Sequence, residues 1–340
     1  QVGLGVALGL ALATKISAAP LLFVLFVAYD TRARLADHRP SAEASRLARI
    51  GSTIRPMLLP LLVAAGVFFL TQPYALLDWR NFLDQTIRES QIARGALDVP
   101  YTIQYAGTLP VLYAVWQTAL WGLSLPPGVV VWASLVASLV RWLRRGSWAD
   151  ALLLAWTGPY LVITGLLYTK YLRYMLPVVP VLCILAAALL AGLVRKAGSF
   201  KRQTPATQNS SVVYRLSSLA LALLILATLA YALAFVTLYT PPHSWASASA
   251  WIYRSIPAGS TLAVEHWDTV LPLTVEMDGV RTGPTGYNYR TLNLYDEPDD
   301  TAKWEALATD LSESDVLVIA SRRLYGSIPR LPDRYPVASR

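Results

Sequence analysis

The sequence predicts a polytopic α-helical membrane protein with a small C-terminal α/β domain. Three observations carry that expectation. Hydrophobic residues make up 55% of the 340 positions and charged residues only 15%, where a soluble domain carries about 25% charged. Uncharged runs long enough for a bilayer core of about 30 Å recur through the first 240 residues. The charge is also divided: residues 1–239 hold 20 Lys+Arg and 8 Asp+Glu, whereas residues 240–340 hold 9 and 13. A single cysteine, Cys183, excludes a disulfide framework and any multi-cysteine metal centre.

The spans follow in order. Residues 2–14 read as the remainder of a helix, since Gln1 opens in the middle of an apolar pattern with no charged leader before it, and the chain reads as cut from something longer. Residues 16–29 form a short span that Lys15 extends by snorkelling. Residues 56–77, 151–169 and 216–240 contain no charge, and 174–194 is uncharged up to Arg195 and Lys196. The first domain, 1–240, thus holds about six full spans plus a partial first one, and 241–340 is a soluble α/β domain.

Residues 108–140 are uncharged but contain Pro126-Pro127. As one straight helix they would reach about 50 Å, too long for one span and short for two. Positive charge decides the path, because Lys and Arg collect in cytoplasmic loops. With 108–125 lying in the interface and only the part after Pro127 crossing, loops 30–55, 141–148 and 195–215 share one side with 14 Lys/Arg, against 5 in 78–107 and 169–173. Everything after 240 then lies outside. The net charge of +8 is an orientation signal, and no nucleic-acid partner is expected.

The external loop 78–127 is long enough to carry function. Residues 81–94 suit an amphipathic helix, with Phe82, Leu83, Ile87 and Ile92 on one side and Asp84, Arg88 and Glu89 toward the other. After it come Tyr101, Gln104 and Tyr105, near Asp98. Aromatic faces stack on pyranose rings and amides bond hydroxyls, so these three are candidates for a sugar or acceptor pocket; Tyr101 and Tyr105 equally suit interfacial anchors. On the same outer side, Lys170 and Arg173 run against the charge trend and need an anionic partner at that depth. A lipid phosphate fits, with Arg173 supplying a planar fork and Lys170 a point charge; snorkelling cations at a helix end are the plain alternative. Lys15, a lone cation between apolar runs, falls near the same face.

In the C-terminal part, 246–255 and 300–311 read as helices, 261–265 and 315–320 as strands, and the glycine-rich 279–288 as loop. No glycine-rich nucleotide fingerprint is present. Glu265, His266 and Asp268 follow a strand as a possible accessory polar site; surface hydrogen bonding is expected of them rather than metal binding.

Three pieces in order resemble one family. Gly9-Leu10-Ala11-Leu12-Ala13-Thr14-Lys15 leads into a span, Gln72-Pro73-Tyr74 opens an external loop, and Lys170…Arg173-Tyr174…Pro177 opens a later span. The set is similar to the protein O-mannosyltransferase superfamily, glycosyltransferase family 39, of bacterial type. The resemblance implies a GT-C-like fold in a bacterial-type plasma membrane, with the C-terminal domain extracytoplasmic. It implies transfer of a sugar from a polyprenyl-phosphate carrier to an acceptor hydroxyl, with the lipid-linked sugar as donor; no further cofactor and no metal ligand is assigned. The family's acidic base belongs to a first external loop expected upstream of Gln1, so no catalytic residue is assigned in this chain. Lys15, Lys170, Arg173 and Tyr174 are the lipid-phosphate candidates. A transporter or flippase and a non-catalytic envelope scaffold are the rival classes. The transporter is disfavoured because the spans show neither charged residues nor matched broken helices.

Overall fold

The computed structural model describes residues 1–36, 51–97, 99–203 and 208–340. Residues 37–50, 98 and 204–207 lie outside the described residues. They include parts of the basic stretches 30–55 and 195–215, and Asp98. The described chain forms two compact units: Gln1–Leu97 with Gly107–Tyr231, and Asp98–Ala106 with Ala232–Arg340. The division falls at 231 rather than 240, and part of the expected external loop belongs to the second unit.

The first unit is helical. Its main helices are α1 (Val2–Thr14), α2 (Leu21–Ala36), α3 (Leu58–Thr71), α4 (Trp79–Arg94), α5 (Leu125–Arg145), α6 (Trp148–Leu166), α7 (Val179–Gln203) and α8 (Gln208–Val236). Five helical stretches among the described residues are long and apolar enough to cross a membrane: Ile16–Leu35, Gly51–Thr71, Leu125–Arg145, Trp148–Leu166 and Arg215–Ser255. Their apolar side chains mostly face outward, as a lipid environment requires.

Helix α1 packs on α3 because Gly5 and Gly9 let the backbones close. A Cβ on Gly5 would stand 2.6 Å from the Pro60 carbonyl oxygen, and one on Gly9 2.6 Å from that of Ala64. Small residues four apart are the usual means of close packing between apolar helices, where no hydrophobic gradient drives association. Leu8, Leu25, Tyr29, Met57 and Ala64 form one buried cluster of this unit; Val131, Tyr160, Met175, Val178 and Leu182 form another.

Helix α5 tolerates Pro126-Pro127 because they occupy its first turn, where the backbone N–H groups have no intrahelical partner. It stops at Gly146, left-handed with φ of 61°. Ser147 then caps α6, so the expected loop 141–148 shrinks to two residues. The expectation of charge-free spans is corrected here. Arg141 in α5 donates to Asp150 in α6 through Nη2 to Oδ1 at 2.7 Å and Nε to Oδ2 at 3.1 Å, and Ser138 donates to the same carboxylate at 2.6 Å. This paired fork staples the α5–α6 hairpin at its closed end.

Residues 108–125 hold only a short helix, Leu112–Gln117, and a π-helical turn, Thr118–Gly122. Together they reach about 17 Å, well short of a bilayer core. The expected span 174–194 starts late: Leu172–Met175 is a 3-10 turn and α7 begins at Val179, after Pro177.

The second unit is a small α/β structure. Helices α9 (Ser244–Ser255) and α10 (Thr301–Ser312) accompany β1 (Thr261–Glu265), β2 (Val275–Met277), β3 (Val280–Thr282), β4 (Asn288–Leu292) and β5 (Val316–Val318). A parallel sheet runs in the order β4-β1-β5, with Thr261 opposite Asn288 and Leu262 opposite Val316. The expected loop 279–288 is corrected. Asp278-Gly279, with φ of 52° and 79°, turns the antiparallel hairpin β2–β3, the positive φ pair that a two-residue type I′ turn demands. Leu262 and Val264 of β1 are buried against Ile252 and Ile256 of α9.

Candidate functional site

Helix α1 ends at Lys15, whose extended backbone, φ −160°, breaks the helix and turns the chain into the 3-10 turn Ile16–Ala18. The free carbonyls of that helix end need donors. Gln72 supplies one from far along the chain: its Nε2 donates to the Ala13 carbonyl at 2.9 Å. The chain then bends at Pro73, and Tyr74 opens a short helix leading to α4. On the other side, Tyr171 and Tyr174 stack edge to face at 5.4 Å, because residues three apart eclipse in a 3-10 turn. Lys15 Nζ lies 5.2 Å from the Tyr174 ring centroid, a cation–π contact.

These pieces surround a cavity of about 860 Å³. Lys15, Tyr74, Tyr160 and Tyr174 line part of it, and α4 supplies the longest wall through Asp78, Asn81, Gln85, Glu89 and their neighbours. Those α4 positions follow one another at helical spacing, so one face of the helix presents carboxylates and amides to the cavity. Asn81 Nδ2 donates to Asp78 Oδ2 at 3.3 Å. The expected facing of this helix is corrected: Phe82 and Glu89 both line the cavity, and Leu83 and Ile87 are exposed on the other side. The cavity thus combines one cation, two carboxylates, three phenols and two amides. Asp78, Asn81, Gln85 and Glu89 were not among the sequence candidates; the signal that points to them is the polar i, i+4 line itself.

The phosphate candidates do not all converge. Lys15 and Tyr174 line the large cavity. Lys170 is buried and lines a small adjoining one with Tyr171 and Tyr174. Its Nζ donates to the Tyr168 carbonyl at 3.2 Å, and burial pushes its pKa down. Arg173 is exposed and lines neither cavity; its guanidinium lies 4.4 Å from the Tyr171 ring centroid and 6.0 Å from that of Tyr174.

The sugar-pocket candidates are also elsewhere. Tyr101, Gln104 and Tyr105 belong to the second unit and do not line the cavity. Gln104 donates to the Tyr101 carbonyl at 2.9 Å and its own carbonyl accepts from Arg330. Tyr105 is buried.

In the second unit, Glu265 ends β1 and is buried. Its Oε2 accepts from the Ala320 N–H at 2.6 Å and the Ser321 N–H at 3.2 Å. Burial raises its pKa, against the pull of those two bonds. Asp268 accepts from the Ser321 hydroxyl, and His266 Nδ1 lies 3.7 Å from Asp296. Among the described residues no group of three or more His, Cys, Asp or Glu could hold a metal ion.

Compared with models of protein families, with curated proteins and with solved structures, the chain matches none.

Proposed function

We propose that the chain is part of an integral membrane glycosyltransferase of GT-C type, similar to glycosyltransferase family 39. It moves a sugar from a polyprenyl-phosphate carrier to an acceptor hydroxyl at the outer membrane face. One observation carries the reading. The three sequence pieces that resemble the family, ending at Lys15, Gln72-Pro73-Tyr74 and Tyr174, are far apart in the chain. They meet around a single cavity: Lys15, Tyr74 and Tyr174 line it, and Gln72 ties α1 to that junction.

The cavity offers the donor side of this chemistry; the acceptor hydroxyl must also give its proton to a base, which is not assigned in this chain. A polyprenyl phosphate leaves as an anion that is already stable, so the donor side requires a cation and shape rather than an acid. Lys15 is the cation. The phenol of Tyr174, against which Lys15 packs, adds a hydrogen-bond donor on the same side. Lys170 reaches the phosphate side only through Tyr171 and Tyr174, as a positioning residue. Across the cavity, Asp78, Asn81, Gln85 and Glu89 suit hydroxyl groups of the sugar and acceptor, because carboxylates and amides accept from neighbouring hydroxyls. The topology proposed with this function keeps loops 30–55 and 195–215 cytoplasmic and the second unit extracytoplasmic.

The test is donor consumption. Membranes containing the protein should release labelled sugar from polyprenyl-phosphate-sugar into the acceptor fraction and leave bare polyprenyl phosphate behind. Membranes carrying Lys15→Ala should do so far more slowly. Equal consumption by the two would remove Lys15 from the phosphate site, and no consumption by either would end the transferase reading.

A further inference from the structure

Helix α4 leaves an apolar line exposed on the face away from the cavity. A surface helix of a soluble domain turns apolar residues inward and polar ones to water. Here Asp78, Asn81, Gln85 and Glu89 line the cavity beside Phe82, and Ile92 is buried. The outward face carries Trp79, Leu83 and Ile87, which are 55%, 45% and 45% exposed. These three recur at i, i+4 and i+8, so they form one line along the helix. Leu76 and Leu77, just before α4, extend the exposed apolar set.

The charges sort with the same asymmetry. Arg80 and Arg94 flank the apolar line, and both are exposed. The Arg80 guanidinium lies over the Trp79 ring at 5.5 Å, and Arg94 Nε donates to the Ser90 carbonyl. Asp84 and Arg88, four apart on the shoulder, offset each other. Asp78 and Glu89 face the cavity instead. The outward surface is therefore apolar with a net cationic margin, Arg80, Arg88 and Arg94 against Asp84.

We infer that α4 is an interfacial helix that lies on the bilayer, its Trp79–Leu83–Ile87 line sunk among the acyl chains and Arg80 and Arg94 on anionic lipid headgroups. An apolar line bordered by arginine, with an aromatic ring at headgroup depth, is the pattern that binds such a surface. A zwitterionic headgroup satisfies the apolar line but not the two cations, so the partner is anionic lipid. The cavity wall and the lipid contact are then two faces of one helix, which puts the cavity at headgroup depth with lipid on its far side. This holds whatever reaction the cavity serves.

Site-directed spin labels test it on the full chain in nanodiscs of phosphatidylcholine with or without phosphatidylglycerol. Labels at Leu83→Cys and Ile87→Cys should be relaxed by oxygen, which concentrates in lipid, and shielded from a water-soluble nickel chelate. A label at Gln85→Cys should show the reverse. Removing Arg80 and Arg94 together, as Arg80→Gln and Arg94→Gln, should raise the nickel-accessible fraction at 83 and 87 in phosphatidylglycerol discs, by about fivefold per arginine, and leave it unchanged in pure phosphatidylcholine. Nickel access at 83 and 87 equal to that at 85 would overturn the proposal. So would labels at 83 and 87 that neither reagent reaches, since a protein surface would then cover the face. An unchanged response to the arginine variants in phosphatidylglycerol discs would overturn the anionic partner.

Discussion

Two places in the molecule set carboxylates against a concave surface, and they do opposite things with them. At the end of β1, Glu265 is buried and its Oε2 accepts two backbone N–H groups, from Ala320 and Ser321. Along α4, Asp78 and Glu89 line an open cavity, and Asp78 accepts from Asn81 on its own helix. The first carboxylate holds a loop to a sheet. The other two leave acceptor capacity pointed at space that a ligand can fill. Burial with backbone partners marks a structural acid; a helical line of acceptors along a cavity marks a binding wall.

The sharpest way to break this contrast is Glu265→Ala. Two backbone N–H groups lose their acceptor, and the unfolding free energy should fall by about 2–4 kcal/mol, read as a lowered midpoint in thermal unfolding of the detergent-solubilised protein. An unchanged midpoint would mean that water serves those donors equally well.

On the cavity side, Lys15→Ala should lower transfer by about one to two decades, the worth of roughly 1.5–3 kcal/mol for a charge-assisted bond. Arg173→Ala should cost less than about fivefold, because only an exposed cation–π contact is lost. Comparable losses for the two variants, measured as initial rates of sugar transfer, would return Arg173 to the phosphate site.

Asp78→Asn and Glu89→Gln sharpen the contrast from the other direction. Each should leave stability within about 0.5 kcal/mol, as surface substitutions do, while slowing transfer by about tenfold through a weakened hydroxyl contact. A large drop in unfolding midpoint would make these acids structural after all.

The smallest effect is a dependence on pH. Burial first, opposed by the Ala320 and Ser321 N–H groups, raises the Glu265 pKa above its ordinary 4.5. The stability this group contributes is therefore complete below about pH 4.5 and is lost as pH rises through the raised folded-state value. Glu265→Gln, which cannot ionise, should match the native protein in acid and gain on it as pH rises toward neutrality. A gain that shrinks with rising pH would contradict the sign. Asp299 works the other way: burial raises its pKa, but the Ala338 N–H, Lys303 and the Val337 N–H together outweigh that and hold it low, so its contribution is present at neutral pH and lost in acid.

Much of the architecture was legible in the sequence. Apolar runs and helix signals are local, because a bilayer-length helix satisfies its own backbone and needs only composition and length. That is why α1, α3, α6 and α8 lie where uncharged runs place them, and why α4 starts and stops close to the predicted 81–94. Strand β1 was legible for the same reason, as a short apolar run between turn signals. The hairpin at Asp278-Gly279 carried a readable turn signal, hidden among other glycines. Strand β4 carried almost none, since Asn288 to Arg290 are exposed and show no alternation.

The site was legible only in part. Lys15 and Tyr174 could be named as candidates, but their distance of 5.2 Å depends on how α1 packs on α3 and how the 3-10 turn ends. That Arg173 is exposed and lies over the Tyr171 and Tyr174 rings is likewise not announced by composition. Amphipathicity alone gives α4 two faces and not which one meets protein. Tertiary structure decided that, by placing a cavity on one side and leaving the Trp79–Leu83–Ile87 line exposed on the other. Sequence by itself determined which segments are helices, since those depend on neighbours within a few residues. Which side chains share a cavity depends on contacts between residues far apart in the chain, and only the packed structure settles those.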